Sequence, residues 1–182
     1  MPVLRDGNET VVPESNAILV YLAETLRWDD VYPLAASKAA ERAEIQRWLH
    51  WMHRNSREFT IAYFAPLLRP DIAMSPEFLD DKRKVCVAAA KLLERQLAKS
   101  AFVATGSAKP TLADFAIYAD LGQCQFLDVF DFAPYPNIRR WLSDMRKVKG
   151  YDETHEALAG IKPLVERAKA KAKASSRTQA KM

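Results

Sequence analysis

Cysteine is scarce in this chain. Only Cys86 and Cys124 occur among 182 residues, too few for a disulfide framework, and the composition suits a reducing compartment such as the cytoplasm. Glycine occurs five times, never in the spacing of a phosphate-binding loop. HExxH and CxxC are missing, and there are three histidines. His50 and His53 share one helical face, but no third ligand accompanies them; they read as surface or half-buried side chains, and no metal is expected. No apolar run reaches the length of about eighteen residues that a membrane-spanning helix needs. The opening MPVLRDGNET has neither the basic segment nor the apolar run of a secretory signal.

What is present is ordinary for a folded domain: 49% hydrophobic and 27% charged residues. The net charge of +4 is unevenly placed. From Lys162 onward seven basic residues accompany one acid, Glu166, so that segment carries +6 and the preceding 161 residues carry −2. A folded nucleic-acid binder carries its positive stripe on the fold, so no nucleic acid is expected as a partner. The tail reads as a frayed, solvated end.

Pro2-Val3-Leu4, the turn signal Asp6-Gly7-Asn8 and Thr10-Val11-Val12 predict strand, turn, strand. Pro13 ends the second strand, and Asn16 to Ala23 is a helix-compatible apolar run. Tyr32-Pro33-Leu34 reads as a linker. A long helix is expected from Ala39, with Ile45, Trp48, Leu49, Met52, Phe59 and Tyr63 in 3–4 spacing and one gap near Ser56. Ser75-Pro76 is an N-cap followed by a first-turn proline. Leu79, Cys86, Ala90, Leu93 and Leu97 line the next helix. Thr111-Leu112-Ala113-Asp114 has capping-box spacing with aspartate in place of the usual Glu or Gln, and it opens a helix apolar on nearly every side, hence central. Pro134 and Pro136 lead into a helix facing inward through Ile138, Trp141, Leu142, Met145 and Val148. Gly150 closes it, and Thr154 to Leu158 form one last short helix.

The site with the most chemistry is Pro13-Glu14-Ser15-Asn16, where strand gives way to helix. Unpaired amides and the positive helix end attract a carboxylate. The Ser15 hydroxyl adds a donor, and Glu14 accepts from an amine, so the pair suits a zwitterion. The alternative is a simple N-cap serine beside a solvated glutamate. Cys124 sits late in its helix, where the dipole disfavours a thiolate, and Cys86 lies on an apolar stripe. Both read as small hydrophobes.

The opening PVLRDGNETVVPESNAILVYLAE resembles the end of the thioredoxin-like domain of the glutathione S-transferases. KPTLADFAIYADL is similar to that family's helical capping segment, and the order and spacing of the two also match. The resemblance covers residues 1 to about 158. It implies a mainly α fold: a glutathione-transferase helical bundle (37–160) preceded by a β-hairpin and helix remnant of a thioredoxin-like domain (1–25), a linker (26–36) and a basic disordered tail (161–182). It implies glutathione as cosubstrate, hydrophobic electrophiles as substrates and a homodimer. Glu14 and Ser15 match the pair that holds the γ-glutamyl end of glutathione. Pro2 matches the cis-proline beside the cysteinyl part. Thr111 and Asp114 match the capping box. An electrophile pocket is expected between the two domains, bordered by His50, His53, Arg54 or Arg57. The family's activating Tyr, Ser or Cys lies in strands and helices that have no counterpart here, so a truncated transferase is the expectation. A non-catalytic ligand-binding or protein-interaction module is the second reading.

Overall fold

In the computed structural model, residues 2–7 and 9–179 are described, with side chains described as far as residue 171. Strands β1 (Val3–Asp6) and β2 (Thr10–Pro13) form an antiparallel hairpin with Leu4 opposite Val12. Gly7 takes the left-handed turn conformation (φ 64°) that glycine tolerates; Asn8 lies outside the described residues. Alternation half-buries Leu4 and Val12 and leaves Val3 and Val11 on the other face, 57% and 52% exposed. Helix α1 (Ser15–Thr25) packs along the hairpin. Tyr21 on α1 donates its hydroxyl to Asp6 at 2.7 Å, a bond that raises the phenol's pKa.

The rest is helical. Helix α2 (Ala39–Met52) follows a short 3-10 turn at Ala36–Lys38. The single long helix expected from Ala39 is broken: α2 stops at Met52, and the chain resumes as α3 (Arg57–Phe59), a π-helical turn (Thr60–Phe64) and α4 (Ala65–Leu68). The break is bound to a buried acid. Ser56, fully buried, donates its hydroxyl to Asp120 at 3.0 Å, and Thr60 does so at 2.9 Å. Helix α5 (Pro76–Leu97) starts as the sequence predicts, with Ser75 accepting the Phe78 amide at 3.2 Å.

Helix α6 (Leu112–Phe126) is the centre of the bundle, with ten of its residues buried and with α2, α3 and α7 (Pro136–Met145) packed on it. Its own Ile117 and Leu121 are enclosed, as are Trp48 of α2 and Trp141 of α7. The capping box forms: the Asp114 carboxylate accepts the Thr111 amide at 2.8 Å and its hydroxyl at 2.9 Å. Asp114 also accepts the Val103 amide and the Trp141 indole, each at 2.8 Å, so one buried carboxylate joins α6, α7 and the preceding loop.

Helix α8 (Tyr151–Gln179) differs most from expectation. A short helix and a disordered basic tail are expected there, yet the helix runs on through the basic segment, past Pro163. It is docked. Val165 is fully buried, α8 packs against α4, and Lys169 donates to the Leu127 and Asp128 carbonyls at 2.6 and 2.7 Å. Those carbonyls close the end of α6, where a cation is favoured. Among the described residues no helix is long and apolar enough to cross a membrane.

Candidate functional site

The β2–α1 junction brings Pro2, Glu14 and Ser15 together. The Glu14 amide donates to the Pro2 carbonyl at 3.2 Å. The bond preceding Pro2 involves Met1, which lies outside the described residues. Glu14 has φ 72° and ψ 126°, a backbone geometry costing a non-glycine residue about 1–3 kcal/mol and found where the surroundings hold it in place. The helix cap is Glu14, with Ser15 the first helical residue, a shift of one from the sequence expectation. The Glu14 side chain makes no capping bond. The first helical bond is Ile18 N–H to the Glu14 carbonyl, at 2.9 Å, so the amides of Ser15, Asn16 and Ala17 precede any intrahelical partner. Glu14 and Ser15 are both exposed. Chemically, the turn offers donors and a helix's positive end for a carboxylate, with a carboxylate of its own alongside for an ammonium.

Beside the turn, α1 and α2 enclose an open groove of about 470 Å³. Glu14, Asn16 and Val20 line one wall; Leu49, His50 and His53 line the other. Of the four α2-side residues expected to border a pocket, the two histidines do so here. Arg57 turns instead to the Asp120 carboxylate, at 3.4 Å. Among the described residues no cluster of three or more His, Cys, Asp or Glu side chains could hold a metal.

Both cysteines are buried. Burial pushes the Cys86 thiol up to about 12 and raises that of Cys124 as well, so neither supplies a thiolate. Two features escaped the sequence reading. Asp120 is buried, and desolvation raises its pKa while the hydroxyls of Thr60 and Ser56 and the Arg57 guanidinium oppose that rise; an acid inside an apolar helix was the available signal. Asn16 reaches across to α2 and donates to the Leu49 carbonyl at 2.7 Å, which no local pattern announces.

The family model described as "Glutathione S-transferase, C-terminal domain" matches residues 76–144. Glutathione S-transferase D6 of Drosophila melanogaster is 33% identical over 155 residues, covering 84% of this chain and 67% of that protein. Glutathione S-transferase T1 of Arabidopsis thaliana is 29% identical, covering 89% of this chain and 69% of the relative. Against Glutathione S-transferase T3 of the same plant the identity is again 29%, but the chain spans only 31% of that protein's length. The solved structure of a delta-class glutathione transferase from Nilaparvata lugens superposes with a TM-score of 0.74 at 31% identity, covering 92% of this chain and 75% of that one.

Proposed function

The chain belongs to the glutathione S-transferase family, and on that premise we propose that its β2–α1 turn holds the γ-glutamyl end of glutathione, the cosubstrate for conjugation to hydrophobic electrophiles. The single observation behind this reading is the exposed turn, where the Ser15 hydroxyl and three amides that precede the first intrahelical bond stand beside the Glu14 carboxylate. In this assignment the ligand's carboxylate meets Ser15 and the helix amides, and its ammonium meets Glu14. Pro2, one backbone bond from Glu14, lies beside the cysteinyl part. The ligand's hydrogen bonds are then charge-assisted at both ends, which favours a zwitterion over a plain anion.

No described side chain at the turn is assigned to activation of the glutathione thiol, and both cysteines are buried with their own thiol pKa values raised. Binding and turnover are then separate: glutathione binds at the turn, and conjugation by residues 1–182 is slow. The second reading, a non-catalytic ligand-binding or protein-interaction module, draws support from Val3 and Val11, half-exposed on the hairpin face opposite α1, since such faces and strand edges invite association. A homodimer in the cytoplasm is part of the first reading.

Calorimetric titration of glutathione into the parent chain and Ser15→Ala tests the assignment. Loss of a charge-assisted bond is expected to weaken binding about 10-fold or more; equal affinity rejects it. Rapid conjugation of an aromatic halide by the purified chain would show that thiol activation resides within these residues after all.

A further inference from the structure

Asn16 is the second residue of α1, and its carboxamide is where the turn meets the helical bundle. The amide nitrogen donates to the Leu49 carbonyl at 2.7 Å and lies 3.3 Å from His53 Nε2. A carbonyl only accepts, so the first contact decides which end of the amide is nitrogen. The second contact then requires His53 to present Nε2 as an acceptor. The Leu49 carbonyl is open to this bond because α2 ends at Met52, and the last four carbonyls of a helix lack intrahelical partners. The His53 amide turns to the His50 carbonyl instead, at 3.4 Å.

The residue two positions before Asn16 is the strained Glu14. Strain of this kind persists only where the surroundings over-determine it. Two backbone bonds bracket Glu14, to Pro2 and from Ile18, and both stay within the hairpin and α1. The Asn16 bond adds a directional contact across to α2, between residues 33 apart in sequence. We infer that Asn16 is a positioning residue: its bond to the Leu49 carbonyl sets the Glu14–Ser15 turn against α2 and fixes the geometry in which a γ-glutamyl group is held. What the turn is for rests on the glutathione reading; how it is held does not.

Hydrogen exchange at the Ile18 amide, bonded to the Glu14 carbonyl, reads the turn without any ligand. Asn16→Ala is expected to speed exchange there about 3- to 10-fold, the worth of one net hydrogen bond. Glutathione affinity should fall by a similar factor, while the Leu93 amide in α5 stays as protected as in the parent. Unchanged exchange at Ile18 overturns the inference. Asn16→Asp separates this contact from a helix-end effect. The first turn of α1 holds no acid, so a carboxylate there suits the helix dipole yet cannot donate to the Leu49 carbonyl. Exchange as fast as in Asn16→Ala supports the inference; exchange no faster than the parent overturns it. If the parent fails to bind glutathione while Asn16→Ala still frees Ile18, the ligand assignment falls and the structural bond stands. If the parent binds and Asn16→Ala binds equally well, Asn16 does not position the site.

Discussion

Asp114 accepts four hydrogen bonds in a fully buried position: Val103 N–H and Trp141 Nε1–H on one oxygen, and the Thr111 amide and hydroxyl on the other. A capping residue alone is worth about 1 kcal/mol. Asp114→Ala strands several buried donors, so its expected cost is larger, at least about 3 kcal/mol by denaturant unfolding. Asp114→Asn keeps one accepting oxygen and turns an NH₂ toward the other two donors, so it should fall between parent and alanine. A loss near 1 kcal/mol for alanine would mean that the carboxylate acts only as a cap. Glu44 gives the pH dependence. The Arg47 guanidinium, with help from the Trp48 indole and Thr105, holds its carboxyl down from 4.5 to about 2. A depressed folded-state pKa adds stability above the unfolded value, and that stability is lost as pH falls through the folded one. Parent melting temperature should therefore drop more steeply than that of Glu44→Gln between pH 4.5 and about 2. Parallel profiles would show that Glu44 is uncoupled from folding. At this scale the sequence discloses only near neighbours. Thr111 and Asp114 are three apart and announce their box, whereas Trp141 joins it from 27 residues away, through packing that no spacing encodes.

Helix starts are the most legible elements, because their signals are local: Ser75 caps α5 and Pro136 opens α7 where the sequence places them. The break after α2 is not local. Residues 53–56 have no breaker of their own, and the hydroxyls flanking α3 bond to Asp120, 60 and 64 residues on. The candidate site is legible in its residues, Glu14 and Ser15, but not in its cap register, since the positive φ of Glu14 belongs to the hairpin's meeting with α1. Helix α6 yields a prediction of opposite sign to propensity. Replacing a helical glycine with alanine normally gains about 1 kcal/mol. At Gly122 a Cβ would sit 2.5 Å from the Tyr118 ring. That ring is itself held by Trp141, Tyr151 and His155, with centroids 5.8 to 6.2 Å away. Gly122→Ala is expected to cost about 1–3 kcal/mol through overpacking. A stabilised variant in urea unfolding would show that Tyr118 has room to move.

On the scale of the whole molecule, the chain closes on itself through its basic end. Charge arithmetic predicts a solvated tail from the +6 segment, and composition carries no trace of two docking contacts inside it. Val165 falls on the buried side of α8, and Lys169 reaches the open carbonyls at the end of α6. Lys162 also lies over the Phe126 ring at 5.1 Å. Val165 and Lys169 seat the helix because α4 offers it an apolar wall and the end of α6 a negative pole. Truncation after Gly160 removes all three contacts. Losing a buried valine and the Lys169 bonds together should lower the melting temperature by about 5–10 °C. Lys169→Ala alone should produce the smaller part of that fall. Glutathione affinity should survive both changes, since no described residue of α8 lines the groove between α1 and α2. Equal melting temperatures for the full and truncated chains would show that α8 beyond Gly160 adds nothing to the fold, whereas a loss of glutathione binding on truncation would extend the site from the turn to α8.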